Sequence, residues 1–220
     1  MLPLNYLLAG QPFEALASLL AIIIAITVHE FSHAFVAMVQ GDSTAELEGR
    51  VTFNPLSHID FFGLFALIFL GFGWGKPVPF NPYLLRDQKW GPLYIGLAGP
   101  FSNLLMLSLV GILLRLLLPV LGPNNLLILF LGLCFLINTA LMLFNLIPLP
   151  PLDGSKIIMA LLHKPKWFAF REKLESYGSW ILMGLILLDV VFGIGLISAV
   201  LGGPYHWVAG LFGLNGLFGL

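Results

Sequence analysis

Charged residues and cysteine are both scarce in this chain. Only 10% of its 220 residues are charged, against about 25% in a typical soluble domain, so a water-soluble fold of this size could not cover its own surface. The single cysteine excludes an intrachain disulfide and a cysteine-ligated zinc cluster. The net charge of −1 and the lack of a basic stripe argue against nucleic-acid binding. The N-terminus lacks the basic region and cleavage site of a signal peptide, so the first apolar segment is expected to remain in the mature protein.

Long apolar segments dominate instead. Hydrophobic residues make up 59% of the chain, and a membrane-spanning helix needs about 20 largely apolar residues. Such segments recur along nearly the whole sequence, which predicts an all-α polytopic membrane protein. They are residues 15–26, 61–72, 104–118, 126–147 and 181–201.

Three spanning helices are expected in the first two thirds of the chain. The first covers about 13–40 and ends at Gly41, because glycine suits a helix C-cap. The other two cover about 91–118 and 126–147, and a short turn joins them.

Between the first two helices the pattern changes. Residues 41–60 are polar and rich in turn formers, which predicts a loop or small hairpin with a short extended stretch at 49–53. Residues 61–74 are apolar, but about 14 residues with three glycines favour a re-entrant or interfacial segment over a full span. Prolines exclude a helix at 75–81.

A His-Glu-Phe-Ser-His motif lies at residues 29–33, in the second half of the first predicted helix. Its i,i+4 spacing places His29 and His33 on one face, where two imidazoles can bind one Zn²⁺ ion. Glu30 lies beside them and could act as general acid/base on a zinc-activated water. An acidic side chain in the centre of a spanning helix costs about 2.5–3.5 kcal/mol on insertion scales. The pattern therefore predicts a catalytic zinc site and not a chance match.

Asp153 is the candidate for the third ligand that a catalytic zinc normally requires. It follows Pro148, Pro150 and Pro151, which break the preceding helix. Irregular backbone at membrane depth is tolerated where it is buried in protein or lines a water-filled cavity. The Asp153 carboxylate is therefore expected to point into the protein interior. The alternative is an aspartate that caps the following helix.

Other polar residues are weaker candidates. Asn138 and Asn145 share one helical face and could bind substrate, while a hydrogen bond between helices is the alternative and is favoured for Asn138. His58 could orient a ligand or replace one, although a lone loop histidine is usually structural. For Gly99 and Asn103, close helix packing is the default expectation.

Basic residues concentrate at 76–90 and 156–175, so both segments are expected to face the cytoplasm. One helical hairpin separates them, which is consistent with a location on the same side. The histidine motif and Asp153 then both lie toward the cytoplasmic ends of their helices.

Five segments of the chain form a combined pattern: HEFSH (29–33), GDSTAELEGRVTFNPLSHID (41–60), GWGKPVPFNP (73–82), AGPFSN (98–103) and NLIPLPPLDG (145–154). Together they resemble the site-2 protease family of intramembrane zinc metalloproteases, in its small prokaryotic members without regulatory domains. The resemblance implies one Zn²⁺ ion bound by His29, His33 and Asp153, with Glu30 as general acid/base and Asn145 binding substrate. It also implies a three-helix core around a zinc below the cytoplasmic membrane surface.

The sequence as a whole predicts a three-helix catalytic core with additional transmembrane and re-entrant segments and a short membrane-associated extended or hairpin region. Residues 1–220 would form one domain, with the core at about 15–160 and a C-terminal transmembrane segment at about 176–201. The expected function is cleavage of transmembrane proteins in a prokaryotic inner membrane, with the active site toward the cytoplasm and the lipid bilayer as environment. The alternatives are a transporter or channel with a structural metal, an inactive scaffold, and a metalloenzyme acting on lipid or another small substrate.

Overall fold

The computed structural model describes residues 3–70, 73–162 and 164–214. These residues form α-helices joined by turns and loops, and four helical segments are long and apolar enough to cross a membrane: Pro12–Val39, Gly91–Leu121, Leu126–Asn145 and Pro165–Phe192. The prediction of an all-α polytopic membrane protein is confirmed. The helices are α1 (Pro3–Leu8), α2 (Pro12–Val39), α3 (Thr44–Leu47), α4 (Phe61–Leu70), α5 (Gly91–Leu121), α6 (Leu126–Asn145), α7 (Ser155–Leu161), α8 (Phe168–Phe192) and α9 (Leu196–Leu211).

Helices α2, α5 and α6 pack against one another and form the centre of the molecule. Helix α2 presents small residues to its neighbours, since Ala21, Ala25, Ala34 and Ala37 are all fully buried. Small residues let membrane helices approach closely, because lipid supplies no hydrophobic force that drives helices together. The histidine motif on α2 is thereby brought against the first half of α5.

The segment between α2 and α4 is a loop with short helical turns, the first of the two forms predicted for it. The stretch at 49–53 that could have paired as a strand does not do so, and the β-bridge found in the described part of the chain pairs Ile59 with Gly75. Side chains provide the hydrogen bonds that a strand ladder would have made. The guanidinium of Arg50 binds backbone carbonyls of the 76–77 segment, and the imidazole of His58 bonds to a loop carbonyl.

Helix α4 has ten residues and is about 15 Å long, half of the roughly 30 Å hydrocarbon thickness. It is too short for a full span, as expected, and its aromatic side chains Phe61, Phe62 and Phe65 are exposed. Residues 71–72, at the end of the expected re-entrant segment, lie outside the described residues.

The C-terminal transmembrane segment expected at 176–201 does not form one helix. Helix α8 begins earlier, at Phe168, and ends at Phe192. Gly193 and Gly195 have φ angles of 60° and 73°, a left-handed backbone that interrupts the helix. Helix α9 then begins at Leu196 and packs against α6.

Candidate metal centre

Three side chains converge where α2 faces the segment between α6 and α7. The Nε2 atoms of His29 and His33 are 3.1 Å apart, and they lie 3.2 and 3.3 Å from Asp153 Oδ2. A tetrahedral zinc ion with bonds of about 2.0–2.1 Å separates its ligand atoms by about 3.3–3.4 Å. The three atoms are therefore spaced as ligands of one such ion.

The tautomer of His33 follows from its outer hydrogen bond. Its Nδ1 lies 2.6 Å from the backbone carbonyl of Ile95 on α5. A carbonyl oxygen can only accept, so Nδ1 carries the proton and donates it. In the neutral imidazole, Nε2 is then an unprotonated lone pair facing the site.

The tautomer of His29 is set by a longer chain of buried amides. Asn138 Nδ2 donates to the backbone carbonyl of Cys134 at 2.8 Å, so its Oδ1 is left to accept from Asn103 Nδ2 at 2.8 Å. Asn103 Oδ1 in turn accepts from His29 Nδ1 at 2.6 Å. Because the chain ends on an obligate acceptor, the proton of His29 is on Nδ1 and its Nε2 is free.

Three acceptor atoms thus face one another in a buried site. Asp153 Oδ2 has no hydrogen-bond donor within the described residues, although it is inaccessible to solvent. A buried anionic oxygen without a donor is strongly unfavourable, and a cation among the three atoms would remove that penalty. The donor set of two neutral imidazoles and one carboxylate fits a catalytic zinc site with its fourth position open.

Gly99 makes room for this cluster. A Cβ atom at Gly99 would lie 2.4 Å from His33 Nε2 and 2.5 Å from His29 Cε1, closer than real side chains approach. Helix α5 can therefore pass beside both imidazoles only with glycine at this position. Sequence analysis assigned close helix packing to Gly99 as its default role and did not predict its contact with the two candidate ligand histidines.

The backbone after α6 fixes the position of Asp153. Gly154 N donates to the carbonyl of Asn145 at 2.6 Å, which folds the proline-containing segment back on the helix end. A Cβ at Gly154 would lie 2.4 Å from the carbonyl oxygen of Leu146. The alternative role of Asp153 as a helix cap is not adopted, since Gly154 is the N-cap of α7 and no side-chain capping bond forms there.

Glu30 lies next to the cluster and is half-buried. Its Oε1 is 2.9 Å from the position that a Cβ of Gly75 would occupy. None of the described residues donates a hydrogen bond to this carboxylate, so its oxygens are available to a water molecule or a substrate.

The other sequence candidates take different places. The oxygen and the nitrogen of the Asn138 side-chain amide are both used in the hydrogen-bond chain that ends at Cys134, which favours its structural alternative. Asn145 is half-buried, and its amide donates to the carbonyl of Leu141 at 3.0 Å. His58 is fully buried and bonds to the Thr52 carbonyl at 2.7 Å, outside the group of three candidate ligands.

Substitution of Asn103 by Leu should weaken zinc binding by about 10–100-fold, because His29 loses the acceptor that fixes its tautomer. Competition with a zinc indicator on the purified protein measures this directly. Ser108→Ala is the matched control on α5, since the Ser108 hydroxyl bonds only within its own helix, to Leu104. A zinc affinity equal in both variants would contradict the proposed orientation of His29.

A bundle of apolar helices with a His-Glu-x-x-His motif, an inward aspartate and an available glutamate has the features of a membrane metallopeptidase. Comparison with known proteins identifies the family. The model of Peptidase family M50 matches residues 122–188. The chain is 38% identical over 181 residues to YwhC of Bacillus subtilis (strain 168), which is named as a candidate zinc metalloprotease, and 80% of each chain is covered.

A second relative is Rip2 of Mycolicibacterium smegmatis (strain ATCC 700084 / mc(2)155), also named as a candidate zinc metalloprotease. It is 36% identical over 143 residues, which cover 60% of this chain and 52% of that one. No solved structure matches the chain significantly. The chain belongs to peptidase family M50, the site-2 protease family. It is accordingly a membrane protein of a metalloprotease family.

Proposed function

We propose that this protein is an intramembrane zinc metalloprotease of the site-2 type. It hydrolyses peptide bonds within or beside the transmembrane segments of other membrane proteins. The observation that carries the proposal is the convergence of three candidate ligand atoms, from His29, His33 and Asp153, at the spacing of one tetrahedral ion. The names of the two relatives support zinc as that ion.

Each of the four site residues has its own role in the proposed hydrolysis. When bound, Zn²⁺ supplies a Lewis acid that polarises the scissile carbonyl and lowers the pKa of water toward about 7. His29, His33 and Asp153 hold the ion. Glu30 accepts a proton as water adds to the carbonyl carbon, and it delivers that proton to the amine nitrogen when the C–N bond breaks.

The depth of the site supports cleavage inside the bilayer. His33 and His29 precede the last residue of α2, Val39, by six and ten residues, or about 9 and 15 Å along the axis. With a hydrocarbon core about 30 Å thick, the ion would lie below the membrane surface. The basic segments 76–90 and 156–175 favour the cytoplasmic side of a prokaryotic inner membrane.

Substrate binding is assigned to the end of α6. A helical substrate must unwind before cleavage, because its peptide bonds are shielded by its own hydrogen bonds. Asn145, half-buried at the end of α6, would bind the unwound backbone through its free amide oxygen. We place these functions in one domain over residues 1–220, with the catalytic core at about 15–160.

The test is metal-dependent cleavage of a transmembrane peptide by the full chain in detergent or lipid nanodiscs. Removal of metal by a chelator should lower the cleavage rate by at least about 10³-fold, since both the Lewis acid and the activated water are lost. Added zinc should restore the rate, and mass spectrometry should place the cut within or beside the apolar segment. Cleavage that persists in metal-free protein would refute the proposal, as would zinc-loaded protein that cuts no transmembrane peptide of a broad panel.

A further inference from the structure

Arg50 is a buried cation outside the metal site. It is only 2% exposed and heads the fully buried side chains by volume. Its guanidinium donates to the backbone carbonyl of Lys76 at 2.5 Å and to that of Pro77 at 2.9 Å. It forms no ion pair with a described residue, and its Nε has no hydrogen-bond partner among them. Burying a cation without a partner carboxylate is unfavourable, so the burial of Arg50 indicates a specific role for this side chain.

The segment that Arg50 holds is also fixed at its start. Lys76 N donates to the carbonyl of His58 at 2.8 Å, and Gly75 pairs with Ile59 in the β-bridge. Pro77 has no backbone donor of its own. Arg50 therefore donates the hydrogen bonds to the carbonyl groups of this segment. We use the name Arg50 clamp for residues 75–77 together with their hydrogen bonds to Arg50 and to residues 58–59.

Gly75, the first residue of the Arg50 clamp, lies next to the Glu30 side chain. A Cβ at Gly75 would lie 2.9 Å from Glu30 Oε1 and 3.3 Å from Ile26 Cγ2. The backbone of Gly75 thus lies directly against one side of the carboxylate, and a methyl group at this position would displace it. A shift of residues 76–77 would move this backbone, because Gly75 directly precedes them.

Arg50 and Glu30 also interact electrostatically. Burial lowers the pKa of Arg50, whereas the negative charges of Glu30 and Glu48 raise it. A guanidinium nevertheless remains protonated in proteins, so a permanent positive charge is bound to the segment that follows Gly75.

We propose that Arg50 is a positioning residue for Glu30: by binding the carbonyls of Lys76 and Pro77 it holds Gly75 against the Glu30 carboxylate. Glu30 is thereby kept in the orientation from which it exchanges protons with water and the leaving amine. This inference rests on the proposed function, since it assigns Arg50 a part in that reaction. Arg50 itself contacts neither the metal ligands nor the reacting atoms.

The experiment measures kcat, KM, zinc content and Tm for full-length variants with a transmembrane peptide substrate. Arg50→Gln should lower kcat by about 10–100-fold, since a misplacement of about 1 Å can have such an effect, while KM and zinc content stay at wild-type values. Arg50→Lys should recover part of the loss, because an ammonium group can bond to one carbonyl but not as a fork. Arg86→Gln, at an exposed arginine of the same loop region, is the matched control and should be unchanged.

A double variant separates positioning from general stability. Gly75→Ala alone should also lower kcat, because its methyl group would displace Glu30. If Arg50 acts through Gly75, the combination of Arg50→Gln and Gly75→Ala should be no worse than the poorer single variant, a non-additive result. If Arg50→Gln fails to fold, Arg50→Lys combined with Gly75→Ala decides the question in the same way.

Three outcomes would overturn the inference. These are an unchanged kcat in Arg50→Gln, losses that multiply in the double variant, and a loss that disappears when activity is expressed per zinc-loaded molecule. Failure of the proposed function looks different, since wild type itself would then not cleave. If wild type cleaves and Glu30→Gln does not, while the Arg50 variants match wild type, only the role of Arg50 is refuted.

Discussion

Replacement of Glu30 by Gln is expected to lower the rate of peptide cleavage by about 10²–10⁴-fold, the usual contribution of a general acid/base. Glutamine has nearly the same shape, so the packing against Gly75 is retained. It cannot accept a proton at neutral pH, however, and the addition of water loses its base. Zinc should stay bound, because Glu30 is not among the three converging atoms.

The measurement compares cleavage rate and zinc content of the purified variant and wild type with the same transmembrane peptide. Glu48→Gln is the matched control, since Glu48 is an exposed glutamate of the neighbouring loop. Equal cleavage by wild type and Glu30→Gln would remove Glu30 from the mechanism. A variant that has lost its zinc would instead assign Glu30 a role in metal binding.

Replacement of Gly99 by Ala is expected to have an effect as large as the loss of a ligand, although it adds a single methyl group. That methyl carbon would lie within 2.5 Å of atoms of both imidazoles, so either α5 or the histidines must move. Displacement of a catalytic group by about 1 Å can lower a rate about 10²-fold. We expect at least that loss of activity, together with weaker zinc binding.

Zinc titration and peptide cleavage measure the two parts of this prediction. Gly184→Ala on α8 is the matched control, because a Cβ at Gly184 would meet no atom within 4 Å. It should retain wild-type affinity and activity. If Gly99→Ala also retained both, helix α5 could not be as close to the imidazoles as described.

Spacing along the chain was sufficient to predict the two histidines and their shared face. The position of Asp153 required a further step, because more than a hundred residues separate it from His33. Its prolines signalled a broken helix, and the basic segments placed that helix end on the same side of the membrane as the histidine motif. The structure brings the three side chains together, while their roles as ligands stay a proposal.

The residues that contact the candidate ligands were harder to predict. Asn103 and Gly99 are a polar and a small residue in a spanning helix, and such residues usually serve helix packing. Their contacts with the histidines depend on which face of α5 packs against α2. The residue spacing within α2 or within α5 does not reveal which faces of the two helices meet. An amide in the apolar centre of a helix was the available signal, because it must find a partner there.

The loop after α2 shows another limit of sequence patterns. Alternating residues at 49–53 are typical of a strand, yet Arg50 turns inward and binds carbonyls that a neighbouring strand would have used. Periodicity describes which side chains share a face. It does not reveal that a buried arginine forms the hydrogen bonds that a neighbouring strand would have formed.

The amide chain from His29 through Asn103 and Asn138 to the Cys134 carbonyl connects α2 to α5 and α5 to α6, and Asp153 adds the segment beyond α6. One ion bound at this centre would cross-link distant parts of the chain at a single point. Occupancy and tertiary assembly are then thermodynamically linked, so zinc at a hundred times its Kd would stabilise the assembled bundle by about 2.7 kcal/mol. Metal supply would thereby shift the equilibrium between the assembled bundle and its unfolded forms, in addition to enabling activity.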